Sequence, residues 1–132
     1  MKRYWSRLLA LVLVAVISLT GCSGSPDNLT GDYQQDSLAI VNVLRNALAL
    51  PDDAADKAAV QGEARKKINE FAARYQRNSS VSGLSSFTTM RTALNSLAGH
   101  YSSYPNRPVP EKLKNRLEQE FKQVEAALRR GA

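Results

Sequence analysis

Three groups of side chains in this sequence could do chemistry: the single thiol, Cys22, the single imidazole, His100, and the carboxylates Asp52, Asp53 and Asp56. Catalysis or metal binding needs several such groups to converge, because zinc takes four ligands and a nucleophile takes a base beside it. His100 ends an amphipathic run, next to Tyr101, where an imidazole facing a helix dipole or packed on a ring is ordinary. The aspartates follow Pro51, at the start of a helical pattern, and no Asp-x-Asp-x-Asp-Gly loop surrounds them. Helix capping explains them better than calcium. No glycine-rich phosphate loop occurs, and no motif supports a Ser/His/Asp set. The chain is therefore not expected to be an enzyme, to hold a metal or to carry a dissociable cofactor. The thiol remains.

Cys22 follows a run of ten apolar residues, Leu8 to Ile17, itself preceded by Lys2, Arg3 and Arg7. A basic start, an apolar block and a short neutral segment make the three-part pattern of an export signal. The block is too short to span a bilayer, which takes about 20 apolar residues. A bare secretory signal would more often end in Ala-x-Ala. Here Leu19-Thr20-Gly21-Cys22 resembles the bacterial lipobox, in which the cysteine becomes the first mature residue. That resemblance implies a diacylglyceryl thioether on the Cys22 sulfur, cleavage before it, and N-acylation (typically palmitate) of the new amine. Each buried methylene contributes roughly 0.8 kcal/mol, so one chain holds marginally and two or three hold firmly. The other reading is a cysteine left over in a leader. The expected organisation is a signal peptide over 1–21, a lipidated linker over 22–29 and a domain over 30–132. With no other cysteine, that domain must fold without disulfides.

Charge is unevenly spread. Residues 22–56 carry six aspartates against Arg45, whereas residues 57–132 carry fourteen basic and six acidic residues. Such asymmetry fits an oriented docking surface, or solvated helix faces that happen to segregate. Nucleic acid is not an expected partner, since the chain is read as exported and its aromatic residues form no stacking pattern.

The elements that must position these groups are legible as four amphipathic helices. Thr30 is the expected N-cap of the first, with Asp32 in its first turn, and Tyr33, Ser37, Ile40, Val41, Leu44 and Leu48 form its stripe. Pro51 ends it. Asp52 or Asp53 caps the second, whose stripe is Ala64, Ile68, Phe71, Ala72 and Tyr75. Asn78-Ser79-Ser80 and Ser82-Gly83 break the pattern. The third starts near Ser85, with Ser82 as an alternative cap, and runs through Phe87, Met90, Leu94, Leu97, Ala98 and Tyr101. Tyr104 to Pro110 holds three prolines and cannot be helical. Pro110 suits the first turn of the fourth helix, with Leu113, Leu117, Phe121, Val124 and Leu128 as its stripe. Four such helices on short connections predict an all-α, up-down-up-down four-helix bundle after the cleaved lipoprotein signal peptide.

The run "SSFTTMRTALNSLAGHYSSYPNRPVPEKLKNRLEQEFKQVE" (Ser85 to Glu125), with "LTGDYQQDSLAIVNVLRNALALP" (Leu29 to Pro51) before it, resembles a cyanobacterial family of small lumenal photosystem II assembly lipoproteins, the eleven-kilodalton photosystem II proteins. Ala98-Gly99-His100-Tyr101 through Pro105-Asn106-Arg107-Pro108 is the most specific part, and Asp52 to Val81 the least. The resemblance implies a four-helix bundle anchored on the lumenal face of the thylakoid membrane. It implies binding to immature or damaged photosystem II through the lumenal loop of the forty-three-kilodalton chlorophyll-binding inner-antenna subunit. It also implies a role in repair and in keeping the extrinsic proteins off until the manganese–calcium cluster is assembled. The alternative is a generic membrane-anchored helical lipoprotein that binds another envelope partner or a small ligand. A monomer is expected. On residue types, docking is expected at Tyr101, Tyr104, Asn106 and Arg107, because the prolines restrict the loop and tyrosine and arginine anchor interfaces. Arg65, Lys66 and Lys67 on the second helix are the other candidate face.

Overall fold

The computed structural model describes residues 29–105 and 107–132; Cys22, the leader and Asn106 lie outside the described residues. The described residues form five helices in order: α1 (Tyr33–Ala49), α2 (Lys57–Tyr75), α3 (Ser79–Ser82), α4 (Ser85–Ser103) and α5 (Glu111–Arg129). There is no strand among the described residues. None of the described helices is long and apolar enough to cross a membrane.

Each long helix buries the stripe its sequence repeats. Ile40, Val41 and Leu44 of α1 meet Ala64, Ile68, Phe71 and Tyr75 of α2, Phe87, Met90, Leu94, Leu97 and Tyr101 of α4, and Leu117, Phe121, Val124 and Leu128 of α5 in one core. Ala93 and Ala127 complete it, whereas Leu48, Ala98 and Leu113 sit half-buried at its margin. Residues Gly31–Ala132 form one compact unit in which α1 neighbours α2, α2 neighbours α4, α4 neighbours α5 and α5 closes on α1. The directions alternate. Tyr33, at the start of α1, lies 5.4 Å from the ring of Tyr75 at the end of α2 and bonds Ser86 at the start of α4. Arg116, early in α5, reaches Ser96 late in α4 at 3.2 Å. This is the expected up-down-up-down bundle.

The helix ends differ from the sequence expectation in physically readable ways. Thr30 does not cap α1; Asp32 does, its carboxylate accepting the Gln35 N–H at 3.1 Å. Gly31, at φ +88°, turns the chain in left-handed backbone that ends any helix between Thr30 and Asp32. Neither Asp52 nor Asp53 caps α2. Residues 51–57 make two backbone turns first (Ala54 N–H to Pro51 C=O, 3.1 Å; Lys57 N–H to Ala54 C=O, 3.2 Å), so Asp56 takes the N-cap position without a side-chain bond. The break after α2 contains a single helical turn, α3, because the Asn78 side chain accepts from the Ser80 N–H and hydroxyl. That turn buries Val81 and absorbs Ser82, leaving Ser85 to open α4. Pro110 stands one place before α5 rather than inside its first turn, and its carbonyl accepts the Lys114 N–H at 2.9 Å. At the far end Gly131, at φ +73°, lets Ala132 N–H return to the Ala127 carbonyl, and the Ala132 carbonyl accepts the Ser86 N–H at 3.3 Å. The end of α5 thus satisfies one of the unpaired donors that open α4.

Candidate docking site

Among the candidate docking residues, the fold separates support from display. Tyr101, in the last turns of α4, is only 2% exposed, and burial raises its phenol pKa above the ordinary value. It belongs to the core and holds the loop from below. Tyr104, just past the helix, is 48% exposed. Its N–H closes on the His100 carbonyl at 2.8 Å, and its own carbonyl accepts the Arg107 N–H at 3.2 Å. The Arg107 guanidinium then lies over the Tyr104 ring at 5.4 Å, within cation–π range. The His100 ring packs 5.5 Å from Tyr104, with Nε2 3.4 Å from the Arg107 carbonyl. Val109 is buried and pins the returning chain to the bundle. Tyr104 and Arg107 therefore stand exposed together, the guanidinium over the ring. Of the other candidates, Cys22 and Asn106 fall outside the described residues.

The three aspartates after Pro51 do not converge. Lys57 Nζ approaches the Asp52 carboxylate at 3.8 Å, and Asp53 and Asp56 are exposed. No group of three His, Cys, Asp or Glu residues among the described residues is disposed to hold a metal ion. Arg65 and Lys66 are exposed on α2, while Lys67 reaches Glu70 at 3.9 Å.

Two polar clusters and one groove were not foreseen. Asp36 is 3% exposed; it accepts the Gly31 N–H at 3.1 Å and a short bond from the Tyr75 hydroxyl. Burial, reinforced by the Asp36 carboxylate, raises the Tyr75 pKa well above its ordinary value. The signal was present, since position 36 falls on the stripe between Tyr33 and Ile40, but a charge there reads as solvated. Arg45 of α1 bridges Glu118 (2.9 Å) and Glu125 of α5 and lies 5.9 Å from the Phe121 ring. Its pKa is raised by the bond to Glu125 first and Glu118 second. Between α2 and α4 runs an open groove of about 250 Å³, with Ile68, Phe71, Phe87 and Leu94 beneath and Gln76, Arg91 and Asn95 at its rim.

Among the described residues, these clusters do not converge on one point, and Tyr104 and Arg107 are exposed side by side. Comparison with known proteins agrees with the resemblance drawn from Ser85 to Glu125. The chain is 60% identical, over all of its length and 98% of the relative's, to the photosystem II assembly factor lipoprotein Psb27 of Thermosynechococcus vestitus. It is 33% identical over 76% of its length, and 58% of the relative's, to the chloroplastic photosystem II repair protein PSB27-H1 of Arabidopsis thaliana. The solution structure of Psb27 from cyanobacterial photosystem II superposes with a TM-score of 0.76 at 52% identity, covering 83% of this chain and 96% of that one. The family described as Photosystem II Pbs27 matches residues 7–128. On that match, the shared bundle and the whole-length identity, the chain belongs to the photosystem II Pbs27 family.

Proposed function

We propose that this protein is a lipid-anchored accessory factor for photosystem II assembly and repair, and that it works by occupying a surface rather than by catalysis. The observation that carries the reading is the 60% identity, along the whole chain, to a protein named as a photosystem II assembly factor lipoprotein. The fastened pair Tyr104 and Arg107 supports it, since a binding factor needs anchors that lose little freedom on docking. In this reading the partner is the lumenal loop of the forty-three-kilodalton inner-antenna subunit of immature photosystem II. Occupying it defers the extrinsic proteins while the manganese cluster is assembled.

The anchor in this reading is lipid on Cys22, which holds the monomeric domain on the lumenal side of the thylakoid membrane. Seven residues, Ser23 to Leu29, separate Cys22 from Thr30 and span at most about 25 Å when fully extended. A tether of that reach turns docking into a search across a membrane surface and raises the effective concentration of the partner.

A tagged pull-down of the full chain from thylakoids, with mass spectrometry of what accompanies it, tests the partner. Recovery of a photosystem II intermediate is expected, and recovery of only unrelated envelope proteins rejects the reading. For the anchor, Cys22→Ser should abolish acylation and disturb processing. An intact mass showing a mature N-terminus elsewhere than residue 22, or no acyl mass on the wild type, rejects it.

A further inference from the structure

From Phe71 to Pro110 the sequence contains no aspartate or glutamate, although the chain holds twelve. This stretch comprises the end of α2, α3, all of α4 and the Tyr104–Arg107 loop. Within it Arg77, Arg91 and Arg107 are exposed and make no ion pair among the described residues. Elsewhere on the bundle Arg45, Lys57, Lys67, Lys114 and Arg116 each have a carboxylate within 4 Å, whereas Arg65, Lys66, Lys112, Lys122, Arg129 and Arg130 stand exposed among scattered acids. The stretch is thus of one sign, and Arg91, beside the groove, has no ion partner among the described residues.

The rest of that face is cheap to dehydrate. Thr88 donates to the Leu84 carbonyl (3.3 Å), Thr92 to Thr88 (3.0 Å) and Ser96 to Thr92 (2.9 Å). These hydroxyl protons are already bonded within α4, so covering them strands no donor. Beside them the α2–α4 groove offers about 250 Å³ above Ile68, Phe71, Phe87 and Leu94, its lining as much polar as apolar, with Arg91 at its rim. Pockets that enclose whole small molecules run from about 300 to 1,000 Å³, so an open groove of this size suits one large side chain better.

We propose that the groove side of α4 docks an acidic segment of a protein partner, with one large apolar side chain entering the α2–α4 groove and a carboxylate meeting Arg91. The inference rests on the docking function proposed above and gives the partner its chemistry. Arginine presents a planar fork that pairs carboxylates bidentately, as such recognition requires. A bilayer surface is the lesser fit, because lipid recognition draws on clusters of about four to eight cations rather than a sparse row.

The test uses the full chain and photosystem II membranes from cells that lack it, with bound protein measured after sedimentation. Arg91→Glu should weaken association about tenfold or more, and Asn95→Trp, which roofs the groove from an exposed position, should do likewise. Lys122→Glu, an exposed charge on α5, should stay within about twofold, and all three variants should melt like wild type. Equal losses for Arg91→Glu and Lys122→Glu would mean a diffuse field and overturn the proposal. So would wild-type binding by both Arg91→Glu and Asn95→Trp. Displacement of the wild type, but not of Arg91→Glu, by protein-free phosphatidylglycerol vesicles would assign the face to lipid and overturn it too. A wild type that does not sediment with photosystem II removes the docking function itself and this inference with it, whereas wild-type binding by both Arg91→Glu and Asn95→Trp removes only the face.

Discussion

Asp36 is ionisable and buried, and the groups around it explain how the bundle tolerates it. Gly31 N–H and the Tyr75 hydroxyl both donate to one carboxylate oxygen, Oδ2, so that oxygen is paired inside the protein. The same geometry sets a pH dependence. Burial raises the phenol pKa of Tyr75, Tyr33 and Tyr101 relative to the unfolded chain, whose tyrosines ionise near pH 10. Below about pH 10 both states are protonated and the contribution is constant; above it the unfolded state loses protons that the fold retains, and stability falls as pH rises. Urea unfolding between pH 8 and 11.5 should show a shallow slope and then a decline. In Tyr75→Phe that decline should be less steep, although the variant starts about 1–3 kcal/mol less stable because Asp36 loses its donor. An unchanged decline would place the alkaline sensitivity elsewhere. Asp36 was not legible as a buried residue because sequence pattern weighs a charge as polar, whereas the fold weighs whether its partners arrive.

Helices were legible wherever the apolar repeat is regular, and α5 shows why. Leu117, Phe121, Val124 and Leu128 recur at four, three and four residues, and all are buried. Leu117→Ala should cost about 2–5 kcal/mol in urea unfolding, the range for emptying a core leucine. Arg116, one residue away, bonds Glu120 and Ser96, yet its side chain is 54% exposed, so Arg116→Ala should cost about 0.5 kcal/mol or less. Costs of similar size at the two positions would contradict the assigned face of α5. Helix ends were less legible because several residues compete to cap them. Thr30, Gly31 and Asp32 all suit a helix start, and only Gly31's left-handed backbone decides for Asp32. Residues 51–57 likewise hold three aspartates, and the backbone turns they close determine which one precedes α2.

The bundle architecture follows from four stripes and short connections, but which helices become neighbours does not. The α2–α4 groove and the Arg45 bridge both depend on that order, so neither could be read from the sequence. The loop after α4 could be read in part, since its prolines and the types of Tyr104 and Arg107 announce a presented surface. The pairing of the guanidinium with the ring could not, because it depends on the turn that closes Tyr104 to Arg107. Arg107→Ala should weaken association with photosystem II by about 1–2 kcal/mol while leaving the melting temperature nearly unchanged. Tyr101→Ala should lower both, as loss of a buried ring would. A binding titration alongside a thermal melt separates the two, and an Arg107→Ala variant that binds like wild type would remove the loop from the contact.

The bond from Tyr75 to Asp36 also has an optical consequence. The chain's single tryptophan is Trp5, so a chain beginning at Cys22 would emit through its tyrosines alone. An excited phenol is far more acidic than a resting one and hands its proton to a waiting carboxylate, which darkens it. Tyr33, 5.4 Å from Tyr75, passes its excitation to the same sink. Folded protein should therefore glow dimly in the tyrosine band and brighten as it unfolds, the reverse of what solvent exposure alone would do. Tyr75→Phe should abolish most of that brightening, leaving a protein whose own fluorescence no longer reports whether the bundle is intact.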